Sequence, residues 1–258
     1  MSAQPSAGLS DEALRTAALT ALSTVRGPEL DEPITDLGFV RKLTITGSAV
    51  NVRLRLPTSF CAPNFAYLMA SDAMDALKSI PGIGETTVEL DENVDSERIN
   101  AGVAAGGGFA NAFPEESDEE LDALRRIFQA KAHLAAIERV AALMLRDYGM
   151  NVDEVNKLVL ADLPEHPAVL ALLNRRSDLG LPTGPLGSVF IHEDGSRWED
   201  RDVPLSLQLR FAKATRISID GNAHFCRGLL RTRYPESEAD QTDREHDPVF
   251  IKTGNRSA

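Results

Sequence analysis

Two cysteines, Cys61 and Cys226, are the only thiols in the 258 residues, and they are the side chains best suited to chemistry. A thiolate is both a nucleophile and a ligand for zinc, copper(I) or iron. Two thiolates are too few for a four-cysteine iron–sulfur centre within one chain. A cluster would be shared between subunits, completed by other ligands, or held in transit. So few cysteines also fit reduced cytosolic thiols better than a disulfide framework. Cys61 stands in Thr58-Ser59-Phe60-Cys61-Ala62-Pro63, where a predicted strand hands over to a predicted helix. Unpaired N–H groups and the positive end of the helix dipole meet there and favour a thiolate. Pro63 suits the first helical turn, because the N–H it lacks had no partner anyway. The hydroxyls of Thr58 and Ser59 can reach the sulfur or a ligand. The competing reading is a packed structural cysteine, the commonest fate of a lone thiol.

The second cysteine lies in Asp220-Gly221-Asn222-Ala223-His224-Phe225-Cys226-Arg227. His224 and Cys226 are both competent ligands for zinc or iron. Positions two apart share a face on a strand but diverge by about 200° on a helix. The segment reads as a helix over Asn222–Tyr234, which argues against joint ligation and for a packed Cys226. Arg227 and Arg231, four apart, could grip a carboxylate or phosphate. In an acidic protein they are expected to pair with its own Asp and Glu. His133, His166, His192 and His246 have no partner at diagnostic spacing, and no HExxH or GxSxG motif occurs.

The elements that must position Cys61 follow from periodicity. Ser10 can cap a helix carrying Leu14, Ala18, Leu22 and Val25, ended by Gly27-Pro28. Leu43 and Ile45, a Gly47-Ser48 turn, then Val50, Val52, Leu54 and Leu56 alternate with polar residues as a hairpin with one wet face. A second helix with Phe65, Met69, Ala73, Leu77 and Ile80 inward stops at Pro81-Gly82, and Thr87–Leu90 is a third strand. Residues 99–116, rich in Gly and Ala, read as a linker or a flap, since the glycines lack a phosphate-loop pattern. Ser117 and Glu120 form a capping-box pattern that opens a long helix to about Tyr148. Shorter helices are expected over Val152–Leu160 and Pro167–Arg175, and strands over Ser188–His192 and Thr215–Ile219. The expected fold class is α+β: a small helix–strand–strand–helix–strand domain over 1–98, the linker, a mostly helical region over 117–236, and a polar tail over 237–258.

The net charge of −12 argues against nonspecific nucleic-acid binding, which needs a basic face. No stretch approaches the roughly 18 apolar residues of a membrane span. The opening MSAQPSAGLSDEAL lacks the basic and apolar regions of a secretory signal. A cytoplasmic protein with no membrane and no nucleic-acid partner is expected.

Gly27-Pro28-Glu29-Leu30, Ile34-Thr35-Asp36-Leu37-Gly38-Phe39-Val40 and Thr58-Ser59-Phe60-Cys61-Ala62-Pro63 together resemble the PaaD-like metal–sulfur (iron–sulfur) cluster assembly family. That family shows an Asp-Pro-Glu turn, an Asp-Leu-Gly-Leu-Val segment and a Thr-x-x-Cys-Pro turn in this order. The resemblance covers about residues 10–95. Two departures stand out: Gly27 replaces the usual Asp, and Ala62 is inserted between Cys61 and Pro63. Glu29, Asp36, Thr58 and Cys61 match the pattern, and the resemblance implies that they hold the cargo, with Cys61 as metal ligand. Bland readings of Glu29 and Asp36 are a solvated side chain and a turn carboxylate.

The resemblance implies an assembly or maturation factor that handles iron or an iron–sulfur cluster, held transiently. The cargo would go to a client apoprotein, an iron–sulfur or iron-dependent enzyme such as a multicomponent oxygenase. One thiolate per chain implies a cluster bridging a homodimer or shared with the client. The helical region, without a recognisable nucleophile–base pair, is expected to recognise the client rather than catalyse. The alternatives are an enzyme with Cys61 as nucleophile and a distant histidine as base, or a metal-free adaptor in which Cys61 only packs.

Overall fold

The computed structural model describes residues 10–115 and 117–238; His246 and most of the expected polar tail lie outside them. The fold is α+β, a small three-stranded sheet followed by a mostly helical region. Helix α1 (Asp11–Leu22) begins where the Ser10 hydroxyl accepts a hydrogen bond from the Ala13 N–H at 3.2 Å, with Asp11 and Glu12 in the first turn. Strands β1 (Val40–Thr46) and β2 (Ala49–Leu54) form the expected hairpin, turned at Gly47 with φ +60°. Helix α2 (Pro63–Lys78) crosses over to β3 (Thr86–Leu90), which pairs parallel to β2. The order is β1-β2-β3, and Val52 lies opposite Leu43 on one side and Val88 on the other.

Val50, Val52, Leu54, Val88 and Leu90 are buried with Leu14, Ala18 and Leu22 of α1 and Met69, Ala73 and Leu77 of α2. Burying each large aliphatic contributes about 1.5–3 kcal/mol. Helix α2 touches the sheet, α1 and the helix that follows β3, so it is buried well beyond a single stripe. Phe65, expected inward with that stripe, meets Phe128 edge-on instead, with ring centroids 5.2 Å apart.

The segment expected as a linker is largely folded. Helices α3 (Ser96–Ala105) and α4 (Phe109–Ala112) occupy most of it. A Cβ on Gly102 would lie 2.5 Å from the Ala112 Cβ, so the small residues let α3 and α4 close on each other. Phe109 and Phe113 are buried, and Phe109 packs against Tyr67 at 5.2 Å. Composition suggested flexibility; close packing is what the glycine and alanine supply.

Helix α5 (Asp118–Arg146) starts with the expected capping box, Ser117 and Glu120 each bonding the other's backbone at 3.1 Å. The helix expected over Val152–Leu160 is only α6 (Val152–Val155). Beyond it, Leu158 O and Leu160 N–H bond Val189 N–H and Gly187 O at 2.9 Å, which draws the chain away from helical geometry. Helix α7 (Pro167–Asp178) follows, and α8 (Leu205–Arg233) is a single long helix. Neither strand expected in this region forms as an extended ladder. Ser188–His192 makes isolated bridges, Val159 with Ser188 and Ile191 with Arg197. Thr215–Ile219 lies inside α8, because its buried residues, Ala212, Ile219, Ala223 and Leu230, recur at seven, four and seven, a helical period. A second core gathers Ile137, Val140, Met144, Leu172, Phe190, Trp198 and Ala212. Among the described residues no helix is long and apolar enough to cross a membrane.

The helical region returns to the first domain at several carboxylates, Asp31 and Glu92 among them. Asp31 meets Arg175 Nε at 2.6 Å and Arg139 at 3.7 Å, with both the Asp31 and Arg175 side chains only 4% exposed. Glu92 accepts from the Tyr234 hydroxyl at 2.9 Å, and its carbonyl accepts from Arg233 at 2.6 Å. Among the described residues, Asp31 and Glu92 are also the non-glycine residues with positive φ, 51° each. That conformation costs of order 1–3 kcal/mol per residue and persists where the surroundings over-determine it.

Candidate metal-handling site

Cys61 follows the end of β2 by seven residues and precedes Ala62, which is the residue that caps α2. Pro63 takes the first helical position, and the Phe65 N–H is served by the Asn64 side chain at 2.9 Å. The inserted alanine therefore occupies the cap itself and sets the thiol one residue outside the helix. Thr58 turns back on the cysteine. Its hydroxyl lies 3.5 Å from the Cys61 sulfur and accepts from the Phe60 N–H at 3.3 Å. A second loop fixes the other side of this turn: Asn93, itself buried, donates from Nδ2 to the Cys61 carbonyl at 3.3 Å. The Val94 N–H donates to the Ser59 carbonyl at 3.0 Å. Phe60 is 85% exposed, so the turn faces outward although Cys61 is half-buried against the core.

Glu29 and Asp36 are both exposed. The Gly27–Leu30 turn is tight: the Leu30 and Asp31 N–H groups both donate to the Gly27 carbonyl at 3.0 Å. A Cβ on Gly27 would sit 3.1 Å from Leu37 and 3.3 Å from Leu30, so the packing around this turn favours the glycine that stands in place of the family's aspartate. Asp36 accepts from the Thr35 hydroxyl at 3.0 Å, a turn contact.

His224 is exposed on α8, two residues from Cys226 and turned away from it, as helical geometry requires. Cys226 is half-buried against the same core as Cys61. Burial pushes the Cys226 thiol up, and the charges of Cys61 and Glu29 push it further, against the pull of Arg227. Cys61 and Glu29 thus both lie within electrostatic range of Cys226. Sequence reasoning set Cys226 apart from this group, and no spacing signal could have joined residues so distant in the chain. It also missed Asn93 as the side chain that holds the Cys61 backbone. Arg227 bonds Glu32, with a second contact of 3.1 Å, as expected for an arginine in an acidic protein. Among the described residues no three His, Cys, Asp or Glu side chains gather closely enough to hold a metal ion.

Residues 15–90 match the family model described as iron–sulfur cluster assembly protein, and this N-terminal segment carries that family's domain. Residues of the same segment are similar to two curated relatives, both described as iron–sulfur cluster carrier proteins. The one from Deinococcus radiodurans is 30% identical over 77 residues, 30% of this chain and 21% of the relative. The one from Mycobacterium leprae is 34% identical over 86 residues, 33% of this chain and 22% of the relative. The match thus spans about a fifth of the length of either relative. No solved structure matches the chain.

Proposed function

We propose, from the place of residues 15–90 in the iron–sulfur cluster assembly family, that this protein receives iron or an iron–sulfur cluster at Cys61 and passes it to a client apoprotein. The observation that carries this reading is the Cys61 turn. The thiol stands outside the cap of α2, with the Thr58 hydroxyl 3.5 Å away and an exposed phenylalanine beside it. A half-buried thiol open on one side can bond a metal whose remaining positions stay available to another protein. The two relatives named as carriers support cargo transfer over catalysis. The helical region, which lies outside the family match, is the part suited to choosing the client, such as an iron–sulfur or iron-dependent enzyme. The setting is cytoplasmic and reducing, where free thiols persist.

Anaerobic reconstitution with ferrous iron and sulfide tests this. The full chain should acquire visible charge-transfer absorption with bound iron and sulfide, at no more than about one cluster per two chains. Cys61→Ser should reduce both to background with its circular dichroism unchanged. A wild-type chain that takes up neither iron nor sulfide, or a Cys61→Ser variant that loads normally, refutes the reading.

A further inference from the structure

Helix α8 lays one face on the N-terminal domain. Ala223, Leu230 and Tyr234 are buried in that domain's core, and Cys226 lies on the same face, three residues after Ala223 and four before Leu230. Two arginines pin this stretch. Arg227 bonds Glu32, three residues from Glu29. Arg233 donates to the carbonyls of Leu56 at 3.2 Å and Glu92 at 2.6 Å. Leu56 leads into the Thr58–Cys61 turn, and Glu92 adjoins Asn93, which holds the Cys61 carbonyl. The loop bearing Cys61 and the helix bearing Cys226 are therefore fixed to the same two segments. Both cysteines are themselves only half-buried, so neither is sealed in the core, and each follows an exposed phenylalanine, Phe60 at 85% and Phe225 at 66%.

We propose that Cys61 and Cys226 form one two-thiolate site for a thiophilic cation, so that α8 completes the site begun by the N-terminal domain. This deepens the reading above and rests on it for the identity of the cargo, a ferrous ion or one iron of a [2Fe–2S] cluster. Each thiol releases a proton to solvent as its sulfur–metal bond forms, and no electron moves. Two thiolates neutralise a doubly charged cation. A bound cation offsets the repulsion that two neighbouring thiolates would otherwise feel. Two thiolates are half of a four-thiolate set. The remaining positions on the metal face the partner, which is the arrangement that handing it over requires.

Anaerobic titration of the full chain with cadmium(II) alone, followed by sulfur-to-metal charge-transfer absorption, tests the site without iron or sulfide. The wild type should bind one equivalent. Cys61→Ser, Cys226→Ser and Cys226→Ala should each halve the band and weaken binding about 100-fold or more, the cost of losing one thiolate ligand. A measurement on the wild type guards against misfolded variants: cadmium should protect both cysteines from alkylation at the same midpoint concentration, read by mass spectrometry. Protection of Cys61 alone, two independent cadmium equivalents, or wild-type binding in both Cys226 variants overturns the site. Iron loading that depends on Cys61 and survives Cys226→Ser ends this inference and spares the proposed function. Two-thiolate cadmium binding without iron–sulfur uptake does the reverse.

Discussion

In the N-terminal domain the strands and helices bury hydrocarbon, and the buried polar groups, Asp31, Thr35, Arg55, Asp91 and Asn93, sit in loops. In the helical region they sit on the helices themselves: His133 and Glu138 on α5, Arg175 and Arg176 on α7, Gln208 on α8. Arg176 is fully buried and donates to the carbonyls of Pro182, Ser188 and Val189 at 3.1, 2.6 and 2.7 Å. It takes the place of a sheet ladder in holding that irregular stretch. The contrast teaches where each region is vulnerable. A sheet satisfies its own backbone and leaves its loops free for chemistry. Buried arginines hold irregular segments in both regions, Arg55 Nε donating to the Gly38 carbonyl at 3.0 Å in the first and Arg176 in the second. The helical region adds a buried histidine, His133, so its stability depends on pH as well as on particular pairs.

The largest effect is expected where the two regions join. Arg175→Ala leaves Asp31 buried without its nearest partner, and should cost about 3–5 kcal/mol of unfolding free energy in urea denaturation. Arg197→Ala, at an exposed pair with Glu199, should leave the midpoint nearly unchanged. Equal effects from the two would erase the distinction between a buried joint and a surface pair.

Next in size is a pH effect confined to the helical region. Burial, then the charges of Arg176 and His192, hold His133 down at about 4. Between about 6.5 and that value the unfolded chain binds a proton that the folded chain does not. This contribution is fully present above about pH 6.5 and is lost as pH falls toward 4, by about 3 kcal/mol. Unfolding free energies at pH 7 and pH 4.5 should show the drop in the wild type, and a smaller one in His133→Leu. The same slope in both proteins would locate the acid sensitivity elsewhere.

A smaller loss is expected in the loops of the N-terminal domain. Asn93→Ala removes the bond to the Cys61 carbonyl and the acceptor for the Asp95 N–H at 2.9 Å. It should cost about 1–2 kcal/mol. It should also loosen the Cys61 turn, read as faster alkylation of Cys61 than of Cys226. Unchanged relative rates would mean that the turn is held by the Thr58 and Val94 contacts alone. The smallest effect is Ser117→Ala, about 1 kcal/mol from the lost cap of α5. It should leave thiol reactivity untouched, and a change there would show that the start of α5 supports the site.

The sequence alone determined the elements whose signals are local. Alternation at Val50, Val52 and Leu54 specified β2, Gly47-Ser48 its turn, Ser10 the start of α1, and Ser117 with Glu120 the start of α5. The passage from β2 into α2 around Cys61 was legible too, because Pro57 and Pro63 mark the two ends of the turn within a few consecutive residues. Thr215–Ile219 misled, since five residues of apparent alternation cannot reveal the helical period of a helix 29 residues long. Tertiary structure decided the rest. It packed Gly102 against Ala112 where composition suggested a linker, bound Asp31 to Arg175, and set Cys226 on the core that carries Cys61. Periodicity reports which face of an element is buried but not what buries it. Contacts between residues 31 and 175, or 61 and 226, are fixed by how whole helices settle on one another, and no short window of sequence contains that.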